Sequence, residues 1–204
     1  MKIRTLATAM GSMAALGVVL AAPPAHASAE ALIRAKCLPC HTENEDGISR
    51  ISHQRKTPEG WLMSVARMQI VHGLKITDEE RRTVVKHLAD RQGLAPSETT
   101  GVRYAMERRL NTVEAFESEK FTQMCARCHS GARVMLQRRP AAEWEHLVHF
   151  HLGQFPTTEY QALGRDRDWF GIALKEMVPE LASKLPLQSE AWKQWQARAP
   201  QTVK

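Results

Sequence analysis

The chain contains two copies of the sequence Cys-x-x-Cys-His, at Cys37-Leu38-Pro39-Cys40-His41 and at Cys125-Ala126-Arg127-Cys128-His129, which together use all four cysteines. This run is typical of a c-type haem attachment site, in which the two thiols become thioethers on the haem vinyl groups and the histidine becomes the proximal iron ligand. One turn of helix places both sulfurs on one side of the macrocycle and the imidazole beneath the iron. The sequence therefore predicts two covalent haems c and a role in electron transfer.

Two other interpretations of the cysteines are weaker. Four cysteines in two pairs are able to hold structural zinc, but zinc needs no histidine directly after each pair. The pairs also lie 85 residues apart in sequence (125 minus 40). A thioredoxin-like redox site requires a strand followed by a helix, and the sequence shows no convincing strand.

The first 27 residues have the pattern of a secretory signal peptide. Lys2 and Arg4 form the basic start, residues 5–20 are largely apolar, and Ala25-His26-Ala27 is a small-residue cleavage site. The apolar stretch is short for a membrane span. Because haem c is attached outside the cytoplasm, export and motif agree, and we expect a periplasmic protein without a membrane span in the mature chain.

The charge does not favour nucleic-acid binding. Removal of Lys2 and Arg4 takes the formal charge from +6 to +4, and the haem propionates offset much of the rest. No basic run is interleaved with aromatic residues as a nucleic-acid groove requires. The basic pairs Arg108-Arg109 and Arg138-Arg139 are interpreted as solvated surface or as contacts to propionates, so no nucleic-acid partner is expected.

The chain also repeats weakly with a period near 85 residues. Ile33 and Phe121 each precede the first cysteine of their motif by four residues, on the same helical face. After the first motif comes Arg55-Lys56-Thr57-Pro58-Glu59-Gly60-Trp61, and after the second comes Arg138-Arg139-Pro140-Ala141-Ala142-Glu143-Trp144. A proline with an acidic neighbour suits the first turn of a helix, so each run predicts a helix start.

The remaining patterns are helical. Thr77-Asp78-Glu79-Glu80 is a capping box, Val84, Val85 and Leu88 form an apolar stripe behind it, and Gly93 is the predicted stop. Further helices are predicted near Val102–Phe116 and over Tyr160–Leu185, the latter broken near Pro179. The predicted fold is all-α, with two cytochrome c-like helical lobes each wrapped around a covalent haem c. We assign residues 1–27 to the signal, 28–95 to the first half and 96–204 to the second half, with residues 94–100 as the linker.

The repeat also predicts the distal iron ligands. The residue seven positions after each tryptophan is Met68 in the first half and His151 in the second, and seven residues are nearly two helical turns. Met and His are the usual sixth ligands of a c-type haem. We therefore predict His41 and Met68 as the ligands of one iron, and His129 and His151 as those of the other.

Alternative ligands stay open. His72 follows Met68 by one turn, His149 precedes His151 by two residues, and Met177 lies 48 residues after His129 (177 minus 129). A methionine on an apolar helix face is core filler in most proteins, so Met68 also has a structural explanation. Trp61 and Trp144 are predicted to be core aromatic residues that wall the haems.

Several longer runs resemble one known family. They are Arg55–Trp61 with Ala66-Arg67-Met68-Gln69, Cys128–Arg133, Leu147–Pro156, Glu159–Leu163 and Arg165–Trp169. These runs resemble the first domain of the quinohemoprotein amine dehydrogenase α subunit, and the resemblance covers essentially the whole mature chain.

The resemblance implies a periplasmic complex of three kinds of subunit. In that family the α subunit carries two haems c, one His/Met and one bis-His ligated. A small γ subunit carries the cysteine tryptophylquinone that oxidises primary amines, and a β-propeller subunit completes the complex. The resemblance implies that this chain takes electrons from the quinone site and passes them to a soluble redox acceptor, with no catalytic site of its own. The family's α subunit continues into β-rich domains, whereas this sequence stops at Lys204, so a free-standing dihaem domain, a split subunit and a truncated product all stay open.

Two other functions are consistent with a pair of haem c motifs. A free-standing dihaem carrier like cytochrome c4 fits the size, but such carriers usually have a methionine ligand in each half. A haem peroxidase needs an open or displaceable iron position, and both halves offer a distal ligand. Electron relay in amine oxidation is therefore the leading hypothesis.

Overall fold

The structure is a computed structural model that describes residues 28–109, 111–161 and 168–198, apart from the side chains of residues 160 and 161. The predicted signal peptide, residues 1–27, lies outside the described residues. Among the described helices, none combines the length and the apolar character that a membrane span requires.

The described chain is mostly helical, which confirms the predicted all-α class. The helices of the first half are α1 (Ala29–Cys37), α2 (Pro58–His72) and α3 (Asp78–Arg91). Those of the second half are α4 (Arg103–Met106), α5 (Glu119–Cys125), α6 (Ala132–Met135), α7 (Ala141–Gln154), α8 (Thr158–Gln161), α9 (Trp169–Ile172), α10 (Val178–Lys184) and α11 (Glu190–Arg198). The described residues also form four two-residue strands: β1 (Glu43–Asn44), β2 (Gly47–Ile48), β3 (Arg55–Lys56) and β4 (Gln137–Arg138).

The predicted helix starts are confirmed. Thr57 caps α2 by accepting a hydrogen bond from the Gly60 N–H, and Pro58 occupies the first turn. The capping box of α3 is complete, with Thr77 and Glu80 bonded to each other's backbone N–H groups. The stop of α3 differs in detail: the helix ends at Arg91, and Gly93 is required because a Cβ there would lie 2.4 Å from the Ala89 carbonyl oxygen.

The predicted helix at Val102–Phe116 is wrong beyond its first turn. Of the described residues in this range, only Arg103–Met106 is α-helical, after short 3-10 helices at Pro96–Glu98 and Thr100–Val102. Arg108 has a left-handed φ of 54°, which ends the helix. The Tyr104 hydroxyl donates to Glu114 over 2.9 Å, and this bond folds the following segment back on α4.

The break predicted near Pro179 takes another form. The chain is π-helical over Ala173–Met177 and continues as α10 from Val178, with Pro179 in its first turn. In a regular α-helix a proline ring clashes with the carbonyl four residues earlier, and here a wider π-helical turn lies directly before Pro179, so the chain stays helical through it. Residues 162–167, which begin the predicted region, lie outside the described residues.

Each half has its own group of buried apolar residues. In the first half, Ile33, Trp61, Val65, Val84 and Leu88 pack together where α1 and α2 meet α3. In the second half, α5 and α7 pack with the chain from α9 to α10, and their buried residues include Phe121, Trp144, Val148, Trp169, Met177 and Leu181. The predicted core positions of Trp61 and Trp144 are therefore confirmed, and Ile33 and Phe121 are buried as well.

The two copies of the repeat contact each other. Strand β3 pairs antiparallel with β4, and the register sets Arg55 opposite Arg138, its own equivalent in the repeat. The Lys56 N–H donates to Gln92 O just after α3, and the Arg139 N–H donates to Leu185 O just after α10. Equivalent residues that face each other in an antiparallel pair indicate that a local two-fold axis relates these two segments.

A buried carboxylate joins the two segments. Glu98 accepts two hydrogen bonds of 2.8 Å from Arg55 and one of 3.1 Å from Arg138, all on side chains that are at most 7% exposed. Ser189 and the Ala95 N–H donate to the same carboxylate. The interpretation of Arg138 and Arg139 as solvated surface is therefore wrong, because both side chains are buried. Arg108 and Arg109 are exposed, as expected.

Candidate haem site

The second Cys-x-x-Cys-His run follows directly from α5. Ser118 caps this helix, Cys125 is its last residue and is half-buried, and Cys128 is exposed. The segment after His129 is fixed by Glu114, which accepts hydrogen bonds from the Ser130 hydroxyl and from the N–H groups of Gly131 and Ala132. Burial opposes ionisation of Glu114, but these hydrogen bonds hold its pKa below the usual value.

His151 projects from the last turn of α7 toward His129. The centroids of the two imidazole rings are 6.3 Å apart. A metal–imidazole bond is about 2 Å long and the ring centroid lies about 1 Å further in, so two imidazoles on one metal have centroids about 6 Å apart. The separation of His129 and His151 therefore fits two imidazoles that would bind one metal ion from opposite sides.

Both rings also have the hydrogen bonds that metal-bound histidines usually make. His129 Nδ1 lies 2.9 Å from Ser130 O, and His151 Nδ1 lies 2.8 Å from Leu147 O. A carbonyl only accepts, so each Nδ1 carries the proton and each Nε2 is left with a free lone pair. Burial lowers the pKa of His151, which favours the neutral imidazole that ligates metals.

A cavity of about 680 Å³ lies between these elements. Its wall contains both cysteines of the motif, both histidines, Trp144 and Met177. Its volume is within the usual range of cofactor pockets. Burial raises the pKa of the Cys125 thiol at this wall to about 12, with Glu180 adding to the effect.

The donor groups of this cavity fit a haem. Trp144 is buried, and its Nε1–H has no hydrogen-bond partner among the described residues. An orphan buried donor at a cavity wall is costly unless an acceptor occupies the cavity. Arg139 lies 5.6 Å above the Trp144 ring at the same wall, and a haem propionate is an acceptor that both groups could bind.

The first motif has a similar local structure. Cys37 is half-buried at the end of α1, Cys40 is exposed, and His41 Nδ1 lies 2.8 Å from Ser49 O. His41 is thus also left with Nε2 as its free nitrogen. Met68 is half-buried on α2, the helix that begins with Thr57 as its cap. The assignment of Met68 as the sixth ligand stays a prediction.

The alternative ligands lie in different surroundings. His72 is exposed at the end of α2, and His149 is exposed beside Glu145 and Phe170. Met177 is buried, 1% exposed, and lines the same cavity as His151. His151 is the residue whose ring faces His129, so the geometry favours it over Met177.

The two cysteine pairs do not meet. Over residues 28–109, 111–161 and 168–198, no three His, Cys, Asp or Glu side chains form a group that could hold a metal ion directly. The four thiols are also unbridged. The structure therefore gives no support to a four-cysteine zinc site.

Sequence reasoning missed several charged side chains around the site, of which Lys56 is buried. Lys56, Arg67 and Arg133 line the cavity, while Glu98 and Glu114 hold its neighbouring segments. One signal was present: Lys56 and Arg139 each precede the tryptophan of their repeat by five residues, and each lies above its ring, at 5.1 and 5.6 Å. A repeated cation–aromatic pair in a segment with apolar helices on either side indicates a structural position.

Comparison with known families supports the haem assignment. Residues 27–192 match the family model described as quinohemoprotein amine dehydrogenase A, alpha subunit, haem binding. None of the curated proteins matches the chain. The match covers most of the sequence and contains both Cys-x-x-Cys-His runs together with Met68 and His151. The chain therefore belongs to the family of the haem-binding domain of the quinohemoprotein amine dehydrogenase alpha subunit.

Proposed function

We propose that the protein is a periplasmic dihaem c-type cytochrome that relays electrons from the quinone cofactor of an amine dehydrogenase to a soluble acceptor. The observation that carries the proposal is the 6.3 Å separation of His129 and His151 across the cavity that Cys125 and Cys128 also line. A bound haem c supplies reversible one-electron redox chemistry. The chain itself has no further chemistry to perform beyond holding and tuning this group.

The two halves hold their irons differently in this proposal. His129 and His151 hold one iron, and His41 and Met68 hold the other, while the cysteines of each motif provide two thioethers. Methionine ligation raises a haem potential relative to histidine ligation. The bis-His site in the second half is then the entry for electrons, and the His/Met site in the first half is the exit.

The ligand pair disfavours the free-standing carrier. Carriers like cytochrome c4 usually use methionine in each half, whereas the residue that faces His129 is His151. A peroxidase is disfavoured for a related reason, because His151 occupies the position where a peroxide would have to bind. Membership of an amine dehydrogenase family instead supports partner subunits, which we propose to be a quinone-bearing γ subunit and a β-propeller subunit.

The first experiment counts and characterises the haems. The full chain is produced in a host that exports it and attaches haem c, and its mass is measured. We expect a chain that begins at Ser28 and carries two haem masses. A mass that fits zinc and free thiols would overturn the proposal.

The second experiment tests the relay. The purified protein is mixed with a quinone-bearing amine dehydrogenase γ subunit bound to its β-propeller subunit, and a primary amine is added without oxygen. We expect amine-dependent reduction of both haems. Replacement of Cys125 and Cys128 by alanine provides the control, since it removes the proposed entry site and should leave the first haem unreduced on the same timescale. If the remaining haem of this variant were reduced as fast as in the wild type, the proposed order of electron transfer between the two haems would be contradicted.

A further inference from the structure

Basic side chains are concentrated at the wall of the 680 Å³ cavity beside the second Cys-x-x-Cys-His run. Among the described residues that line it, the basic ones are Lys56, Arg67, Arg108, Arg127, Arg133 and Arg139, and the acidic one is Glu59. Two of the six, Lys56 on β3 and Arg67 on α2, belong to the first half of the chain. The wall of this cavity therefore includes residues from the first half of the chain, although the cysteines at the wall belong to the second half.

Lys56 is buried, and no described residue forms an ion pair with it. Its side chain is folded over Trp61, and its Nζ donates a 2.7 Å hydrogen bond to the Ser64 hydroxyl. The residue is 6% exposed, and over the described part of the chain no carboxylate lies within ion-pair distance of Nζ. Burial, reinforced by Arg139 and Arg67, lowers the pKa of Lys56 well below its usual value. A buried ammonium in such a position is costly unless an anion comes to it.

The positive charges of Arg139 and Arg67, which lie near Lys56, are not fully balanced by carboxylates of the described residues either. Arg139 is 4% exposed and lies 3.5 Å from Glu143, but Arg50 binds the same carboxylate at 3.2 Å. Arg67 stacks over the Phe150 ring at 4.9 Å, which places its charge at the cavity wall without neutralising it. The Trp144 Nε1–H adds a buried donor without a partner. The wall thus has an excess of positive charge and of donors.

We propose that Lys56 and Arg67 of the first half, together with Arg139 and the Trp144 indole, form an anion site that binds the propionates of the haem held by the second motif. The proposal rests on the proposed function. Haem vinyl groups and propionates lie on opposite edges of the macrocycle, and Cys125 and Cys128 take the vinyl edge. Lys56 and Arg67 lie on β3 and α2, which carry neither cysteine, so they are available to the propionate edge. Hydrogen bonds between a carboxylate and Arg or Lys are among the strongest in proteins.

The site has a functional consequence. Positive charge beside a haem favours the reduced state, which carries one positive charge fewer. Lys56 and Arg67 therefore raise the potential of the second haem, so the first half of the chain sets the potential of a haem that it does not hold covalently. The two halves are coupled through these side chains as well as through their shared backbone contacts.

The test uses the full holoprotein and single variants that remove charge. Lys56→Gln and Arg67→Gln are compared with Arg82→Gln, which removes a cation from an exposed position on α3. Both midpoint potentials are measured by spectroelectrochemical titration, and resonance Raman spectroscopy follows the propionate-bending bands. We expect both variants to lower the potential of the bis-His haem, to leave the other potential nearly fixed and to shift the propionate bands. Lys56→Arg should retain the wild-type values, because it restores the charge with the side chain found at the equivalent position, Arg139.

The possible outcomes separate this inference from the function on which it rests. If wild-type protein carries two haems with the proposed ligands but both variants behave like Arg82→Gln, the anion site is overturned and the function stands. A shift confined to the His/Met haem also overturns it. If wild-type protein carries fewer than two haems, the proposed function fails first. Arg67 is only half-buried, so its variant keeps the test available if Lys56→Gln does not fold.

Discussion

Replacement of Glu98 by glutamine is expected to destabilise the junction between the two halves strongly. Burial opposes ionisation of Glu98, but the hydrogen bonds from Arg55, the Ala95 N–H and Ser189, with the charge of Arg138, lower its pKa from 4.5 to about 2. A difference of about 2.5 units corresponds to about 3 kcal/mol of stability at neutral pH. Glutamine has a similar shape but no charge, so it would leave Arg55 and Arg138 buried without a counter-ion, a change that typically costs about 3–5 kcal/mol.

The pH dependence gives this prediction a distinctive sign. Because the pKa of Glu98 is depressed in the folded protein, its contribution is fully present above the unfolded value of 4.5 and is lost as the pH falls toward about 2. Of the roughly 3 kcal/mol, about 1.4 kcal/mol remains at pH 3. The stability difference between wild type and Glu98→Gln should therefore shrink between pH 5 and pH 3, while effects of acid on the haem ligands cancel in the comparison.

The assay is urea unfolding of the holoprotein followed by far-ultraviolet circular dichroism at several pH values. Asp90→Asn is a matched control, since it removes a carboxylate from the exposed Lys86–Asp90 pair, and it should change the free energy of unfolding by at most about 0.5 kcal/mol. The reasoning is refuted if Glu98→Gln costs no more than this control. It is also refuted if the difference from wild type is the same at pH 5 and pH 3.

Three further predictions concern the haem sites. Met68→Ala should abolish the weak methionine-to-iron charge-transfer band of the oxidised protein; survival of the band would remove Met68 as a ligand. His151→Met should raise the lower of two resolved midpoint potentials and leave the upper one nearly fixed; movement of the upper one would reverse the order of the haems. Gly131→Ala should destabilise the protein by about 1–3 kcal/mol in urea unfolding, because the new Cβ would lie 2.5 Å from the Phe116 ring. Phe116→Leu in the same chain should recover part of this loss; no recovery would assign the cost elsewhere.

Local patterns predicted the helices that have strong signals of their own. Thr57-Pro58 and the Thr77 capping box begin α2 and α3 because a cap acts within a single turn and needs no distant partner. The predicted equivalence of Met68 and His151 also rests on a local pattern, since each follows a buried tryptophan by seven residues, and it stays a prediction. In each of these features, the residues that interact or are compared lie within a few positions of each other in the sequence.

The features that sequence reasoning missed depend on distant partners. The helix predicted over Val102–Phe116 ends early because Tyr104 and the backbone after His129 both bind Glu114, and no local pattern encodes that contact. Arg138 was interpreted as possible surface because arginine is rarely buried without a partner. Its partner Glu98 lies 40 residues away in the sequence, so only the fold reveals why the charge is inside.

The repeat has diverged at the positions that would distinguish two electron-transfer sites. The Trp61 indole donates to Gln92 O over 3.1 Å, at the carbonyl that also receives the Lys56 N–H. The equivalent carbonyl, Leu185 O, receives the Arg139 N–H, but the Trp144 indole has no partner among the described residues. The first half thus provides a backbone acceptor for the indole N–H of Trp61, whereas in the second half the indole N–H of Trp144 stays a buried donor at the cavity wall. In the proposed ligation, methionine holds one distal position and histidine the other, so two copies of one helical unit would offer sites with different ligands and different surroundings. With that ligation, both changes would give the two sites different potentials, and such a difference would set the direction of the proposed relay.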